Sequence, residues 1–249
     1  TSGSTAKPKG VIISHANLLA VMCGTTRAMP AMGPSDTYVG YLPLAHILEM
    51  IAELGMLQAG GSIGYGSPKT LSDAGVSIDP DTCRGDAPEL RPTMMAAVPM
   101  VFDKIRAAVL AKVAATGGLA AKLFAFALER KIRALERGHA APLWDLLVFD
   151  KLRARLLGGR VRFMLSGGGP LSRETQVFMN VVCNCPVGQG YGLTESCGAV
   201  TTVWPNDRSY GRCGAPIECN QVALVDWEEG GYYADPARDP SKSSPLPRG

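Results

Sequence analysis

No stretch of the 249 residues approaches the roughly 18 consecutive apolar positions that a membrane span needs. A strong charge of either sign is missing too. The 25 Lys and Arg stand against 22 Asp and Glu, and a surplus of three gives no reason to expect a nucleic-acid partner. No basic and then apolar leader is present at the start, where the polar run Thr1-Ser2-Gly3-Ser4-Thr5 stands instead. The 7 cysteines are few for the length and odd in number, so a disulfide framework is not expected and a reducing compartment is. Cys183 and Cys185 have no Cys-x-x-Cys or His-x-x-x-His companion to complete a zinc site. With 46% apolar and 19% charged residues there is ample material for a core, in one large domain or two small ones. Glycine (29) and proline (18) exceed average usage without reaching low complexity, which predicts a globular chain rich in loops.

What is present alternates. Residues 11–14, 37–42, 62–66, 93–98, 160–165, 186–190 and 221–227 read as short strands bounded by Gly, Pro or Ser. Residues 17–27, 47–58, 101–115, 120–137 and 173–182 read as helices, with Val101, Ile105, Val109 and Val113 recurring every four positions. Strand–helix alternation predicts an α/β fold, a mainly parallel sheet flanked by helices. Ser172 is placed to cap the helix that follows it. The polar stretch 67–91 and the proline-rich tail 233–249 read as connections. The sequence opens inside a glycine loop and stops at Pro247-Arg248-Gly249 without a closing element, so it is expected to be a central piece of a longer protein.

Three segments carry chemistry. In Thr1-Ser2-Gly3-Ser4-Thr5-Ala6-Lys7-Pro8-Lys9-Gly10, small residues let backbone N–H groups approach an anion, hydroxyls add donors and a lysine adds charge. It is not a Walker A loop, because Pro8 stands where the second glycine belongs. Taken alone it suits a phosphate cradle or a plain surface loop equally. Ser166-Gly167-Gly168-Gly169-Pro170-Leu171 follows a predicted strand and precedes a helix, where open α/β sheets place ligands, although a simple tight turn explains it as well. Gly188-Gln189-Gly190-Tyr191-Gly192-Leu193-Thr194-Glu195-Ser196 sets an aromatic ring between glycines, suited to stacking on a flat base. The hydroxyl and carboxylate beyond it suit Mg²⁺, although a structural turn is again an alternative.

Together with Gly40-Tyr41-Leu42-Pro43-Leu44-Ala45-His46, Arg91-Pro92-Thr93-Met94-Met95-Ala96-Ala97-Val98-Pro99 and Gly211-Arg212-Cys213-Gly214-Ala215-Pro216, these segments resemble the adenylate-forming (AMP-binding) superfamily. Within it the chain looks like the long-chain fatty acyl-CoA synthetases, in particular the animal-type branch that prefers long polyunsaturated acids. The resemblance covers nearly the whole chain and implies the large N-terminal, or adenylation, domain of such an enzyme, with the small C-terminal domain absent. It implies ATP, Mg²⁺ and coenzyme A as cofactor and co-substrates, and a long-chain fatty acid as the other substrate. A carboxylate attacks the α-phosphate of ATP to give an acyl-adenylate and pyrophosphate, and the thiol of coenzyme A then displaces AMP.

Carried over residue by residue, the resemblance gives Thr1, Ser2, Gly3, Ser4, Thr5 and Lys9 to the β- and γ-phosphates, with Thr1 also near the metal. Glu195 becomes the principal magnesium ligand and Thr194 the contact to the α-phosphate. Gly168, Gly169, Pro170, Gln189, Gly190, Tyr191 and Gly192 become the adenine pocket, with Tyr191 stacked on the base. His46 is expected to orient the acyl carboxylate, while residues 94–98 and the helix after His46 line the acyl tunnel or serve as plain core. Ala6 departs from the glycine expected at its position and would weaken the cradle if that position is left-handed, by about 1–2 kcal/mol. Gly169 and Cys213 are milder departures. The family's ribose-binding aspartate and C-terminal catalytic lysine have no counterpart in the sequence, which leaves a non-catalytic nucleotide-binding fragment or pseudoenzyme, or an adenylating ligase with a different acid or acceptor, as alternatives. Lys151, Arg153, Arg155, Arg160 and Arg162 form a basic cluster that reads as a solvated helix end or as a site for coenzyme A phosphates or anionic lipid. The full-length protein is expected inside the cell, on the cytosolic face of the endoplasmic reticulum or another organelle membrane, held there by regions outside this chain.

Overall fold

The computed structural model describes residues 9–73, 75, 77–79, 82–207 and 209–235. The residues Thr1 to Pro8 of the opening loop, with Ala6 among them, and the tail from Pro236 lie outside the described residues. The chain divides into two units, Thr1–Cys219 and Asn220–Gly249.

In the first unit seven strands form one sheet in the order β2-β1-β3-β4-β5-β6-β7. β1 (Thr37–Gly40), β2 (Ser62–Tyr65), β3 (Met94–Ala97), β4 (Phe163–Ser166) and β5 (Val187–Leu193) pair in parallel, and β6 (Gly198–Thr202) and β7 (Ala215–Pro216) continue the sheet antiparallel. All four residues of β3 are buried, as they must be in a parallel strand with helices on both faces. Side chains alternate across the sheet. Val39, Met95, Ala97, Met164 and Val187 enter one core, and Tyr38, Met94, Ala96 and Phe163 enter the other.

Two helices cover the second of these faces. From α1 (His15–Ala28) come Val21 and Ala28, and from α2 (Ile47–Gln58) come Ile47, Ile51 and Met56. The opposite face carries α3 (Asp86–Leu90), α4 (Pro99–Thr116), α5 (Gly118–Glu136) and α8 (Arg173–Cys183). Between α5 and β4 on that side runs a continuous helical stretch: α6 (Pro142–Trp144), a π-helical turn (Asp145–Phe149) and α7 (Asp150–Leu157). The architecture is the α/β class read from the sequence.

Local differences have local causes. Residues 11–14 form no strand: Ile12 is almost wholly exposed, and Ser14 instead caps α1, its Oγ accepting from Asn17 N at 3.2 Å while Asn17 Oδ1 accepts from Ser14 N at 3.1 Å. Ser172 caps α8 as expected, accepting from Thr175 N at 3.2 Å. The stretch 67–91 is a connection that closes with α3. Residues 221–226 of the second unit are in no strand, and among that unit's described residues the pairing is one bridge between Trp227 and Tyr232, whose rings stack at 5.8 Å. The strand expected from 160 starts at Phe163, just after Arg162, whose side chain pairs with Asp36.

That pair ties together the amino ends of three strands. Asp36 accepts from Arg162 Nε and Nη2, both at 2.8 Å, from Thr93 Oγ1 at 2.7 Å and from Gly33 N at 3.0 Å. The Arg162 hydrogen bonds hold the Asp36 carboxyl down at about 2. A depressed carboxyl stabilises the fold above its unfolded value near 3.9 and loses that contribution as pH falls through about 2. Asp36→Asn should therefore cost about 1–2 kcal/mol at neutral pH, with Arg162 partly exposed, and flatten the pH dependence between 4 and 2. Urea unfolding across that range checks this, and an unchanged acid slope would refute it.

Candidate active site

A cavity of about 300 Å³ lies between α1, α2 and the sheet. Its wall is soft and apolar. Met22 of α1 and Met29 just after it, Leu48, Ile51 and Met56 of α2, and Tyr38, Met94 and Phe163 of the strands all line it. Its rim is different in kind, built from His46, Gly167, Gly168 and the run from Gly190 to Glu195. These rim segments follow or end β1, β4 and β5, the carboxyl-end position at which open α/β sheets bind ligands.

Each rim residue is held by a local device. His46 is the N-cap of α2, its Nδ1 accepting from Leu48 N at 3.2 Å, which leaves Nε2 as the protonated nitrogen of the neutral ring. Gly168 turns the chain after β4 with φ 78°, a conformation that favours glycine. The β5–β6 connection is tight: Cys197 N donates to Thr194 O at 3.0 Å, and Ser196 Oγ accepts from Leu193 N at 2.9 Å. Gly192 lies so close to Gly198 O that a side chain on it would displace the strand, and a bulge falls between Tyr191 and Gly192. The turn thereby presents Thr194 and Glu195 to the cavity, with Glu195 exposed and Tyr191 about half exposed (51%).

Residues 1–238 match the family of AMP-binding enzymes. The chain belongs to that family. It is 46% identical over its whole length to long chain acyl-CoA synthetase 8 of Arabidopsis thaliana, and 42% identical over 94% of its length to long-chain-fatty-acid–CoA ligase 2 of Schizosaccharomyces pombe. It spans about a third (34%) of each of those proteins. Among solved structures it resembles the O-succinylbenzoate coenzyme A synthetase of Bacillus subtilis in complex with ATP and magnesium ion, with a TM-score of 0.56 at 21% identity. That likeness covers 88% of this chain and 34% of the other, and it shows a shared fold.

In this AMP-binding chain the cavity brings together His46, Gly168, Gly190, Tyr191, Gly192, Thr194 and Glu195, drawn from segments far apart in sequence. Gly169 and Pro170 follow in the same exposed loop but do not line it. Gln189 stands behind the rim: its buried side chain accepts from Leu171 N at 3.1 Å and donates to Gln176 Oε1 at 3.0 Å, pinning the glycine loop to β5. Lys9 is exposed and away from the lining. Thr1, Ser2, Gly3, Ser4 and Thr5 lie outside the described residues. Of the expected acyl-tunnel residues, Met94, Met95, Ala96 and α2 line the cavity, whereas Ala97 and Val98 do not.

Thr25 and Thr202 of the wall had no motif to announce them, whereas Ser166 opens the segment Ser166–Leu171. Thr25, Ser166 and Thr202 contribute to the wall, and their hydroxyl oxygens are buried with no hydrogen-bond partner. Behind the wall, Tyr38 donates to Glu49 Oε2 at 2.7 Å, and Tyr65 donates to Glu53 Oε2 at 2.8 Å. Burial pushes the Glu49 carboxyl up to about 7, against the pull of the Tyr38 hydrogen bond. The Tyr38–Glu49 bond locks α2 to β1 and so fixes the helix that His46 caps. The available signal was the pair Glu49 and Glu53, four apart in an otherwise apolar helix.

Proposed function

We propose that this chain forms the part of an adenylation domain that binds acid and nucleotide in a long-chain fatty acid–CoA ligase. The observation that carries the reading is the two-part cavity, a methionine-rich wall ending at a rim of glycine backbone, hydroxyl, imidazole and carboxylate. An apolar acid enters the first part and presents its head at the second. Tyr191 stacks on adenine, and Gly168 and Gly190 let the nucleotide approach the backbone. Thr194 contacts the α-phosphate, and His46 Nε2–H holds a carboxylate oxygen in line with it.

Carboxylate and triphosphate are both anions, so the step depends on neutralised charge and alignment rather than on a general base. Glu195 fits Mg²⁺, which commonly binds through one or two carboxylates and substrate phosphates; the bound ion supplies positive charge to those phosphates. Among the described residues no larger cluster of His, Cys, Asp and Glu competes for that part. The loop Thr1 to Gly10, Lys9 included, receives the β- and γ-phosphates. Coenzyme A then takes the acyl group from the adenylate.

No helix of the described residues is long and apolar enough to cross a membrane. Attachment of the whole protein to an organelle membrane through segments outside this chain is part of the same reading. The deciding experiment is fatty-acid-dependent exchange of labelled pyrophosphate into ATP by the full reading frame. Exchange driven by long-chain acids is the expected result. Exchange with another class of acid only would replace the substrate assignment, and none with any acid would leave a non-catalytic nucleotide-binding protein.

A further inference from the structure

On the side of the sheet away from the cavity, α5 and the helical stretch 142–157 share an outer surface that the fold leaves uncovered. Leu119, Leu123 and Phe126 recur at helical spacing along α5 and are 83%, 44% and 45% exposed. Phe126 meets Trp144 edge-on at 5.5 Å, and beyond Trp144 the strip continues through Leu143, Leu146 and Leu147, which are 59%, 69% and 51% exposed. Single exposed leucines are ordinary, but six large exposed apolar side chains on two helical segments that meet at Phe126 and Trp144 are not.

The charges around this strip select its partner. Residues 118–157 hold eight Lys or Arg against four Asp or Glu, a surplus of four where the entire chain has three, so the rest of the chain is slightly acidic. Of those acids, Asp145 pairs inward with Lys131, Glu129 with Arg133, and Glu136 lies 3.8 Å from Arg173. Lys122 and Arg130 lie on the α5 face with the leucines, Arg130 resting over the Phe126 ring at 4.9 Å, and Lys151 and Arg155 follow Leu147 at successive turns, both exposed. The basic cluster seen in the sequence thus splits. Arg162 is spent on Asp36, Arg160 lies against Ser35 O and Arg153 against Asp150, while Lys151 and Arg155 extend the apolar strip. Coenzyme A phosphates would use the cations but not six leucine and aromatic side chains. A surface that offers anions above a hydrocarbon layer uses both.

We propose that this face docks the protein flat onto an anionic lipid bilayer, with Leu119, Leu123, Phe126, Leu143 and Leu147 entering the interface and Lys122, Arg130, Lys151 and Arg155 meeting headgroup phosphates. The docking is peripheral and does not depend on the ligase reading. Its test is co-sedimentation of the full-length protein with vesicles of phosphatidylcholine alone and of phosphatidylcholine with about one third phosphatidylserine, the variants being checked by thermal unfolding. The excess of binding to the anionic vesicles over the neutral ones is expected to fall at least tenfold in Lys151→Glu/Arg155→Glu, at least tenfold in Phe126→Ser/Leu147→Ser, and steeply between 50 and 300 mM salt, on the order of one charge's attraction per cation removed. Amide exchange over 119–126 and 143–147 should slow when vesicles are added. No excess of binding to the anionic vesicles, or an excess that both double variants retain, would overturn the proposal, whatever binding the segments outside this chain give to both kinds of vesicle. So would protection of those segments before any vesicle is added, which would mean that another part of the protein or a second copy already covers them.

Discussion

Glu195→Gln in the full-length protein should lower kcat/KM for acid-dependent adenylation by about 100- to 1000-fold, the range typical of losing one charge-positioning group at a reacting centre. Glu195 is exposed, and the turn that carries it is closed by Cys197 N to Thr194 O and by the Ser196 hydroxyl. The amide is isosteric and removes only the charge, so thermal unfolding should stay within about 0.5 kcal/mol of wild type. Glu195→Asp keeps the charge on a shorter arm and should fall between the two, with a raised requirement for free Mg²⁺. A role limited to shaping the turn would lower activity and stability together without moving the magnesium dependence. Near wild-type exchange activity in Glu195→Gln would remove the metal assignment.

What the sequence made legible follows from how far each signal reaches. Helix α2 was bounded correctly because its apolar run begins after a capping residue, His46, and stops before Gly60-Gly61, and both are local facts. β3 was equally plain, since a strand covered on both faces must be apolar throughout. Residues 11–14 have strand composition, yet composition does not supply a neighbouring strand, and Ser14 had the alternative of capping α1. The stretch 142–157 was not read as helix at all. It begins with Pro142 and passes through a π-helical turn, so its start lacks the α-helical repeat, although Val148, Leu152 and Leu156 recur every four positions as the apolar residues of α4 do. The rim of the site was visible because glycine, Thr194 and Glu195 stand together in short motifs. Gln189 stood in the same motif and its neighbours gave no sign that its amide serves the loop behind the rim, since that depends on Gln176 of another element. Thr25 and Thr202 are ordinary residues until the fold places them around the same space as Ser166 of the glycine loop.

Lys131 is the strongest case of the same kind, and its removal should have the largest effect on stability. In Glu129-Arg130-Lys131-Ile132-Arg133 it reads as one more solvated charge, yet it is 1% exposed. Its Nζ donates to Asp145, to Val181 O at 2.8 Å and to Asn184 Oδ1 at 3.0 Å, and it sits 4.8 Å from the centre of the Phe149 ring. Three donors thus meet three acceptors from the π-helical turn and the end of α8, where Asn184 holds a left-handed cap with φ 51°. Burial pulls the Lys131 pKa down, and the Asp145 hydrogen bond works against that pull. Lys131→Met keeps the volume but leaves Asp145 charged and all three acceptors unmatched, so chemical denaturation should show a loss of about 3–5 kcal/mol. Lys131→Met/Asp145→Leu removes both charges, and because desolvating an ion pair costs about as much as the pair returns, the double variant should recover most of that loss. If Lys131→Met unfolds like wild type, Lys131 does not hold α5 to the π-helical turn and the end of α8. If the double variant is no better than the single one, the loss lies with the carbonyl of Val181 and the amide of Asn184 rather than with the stranded carboxylate.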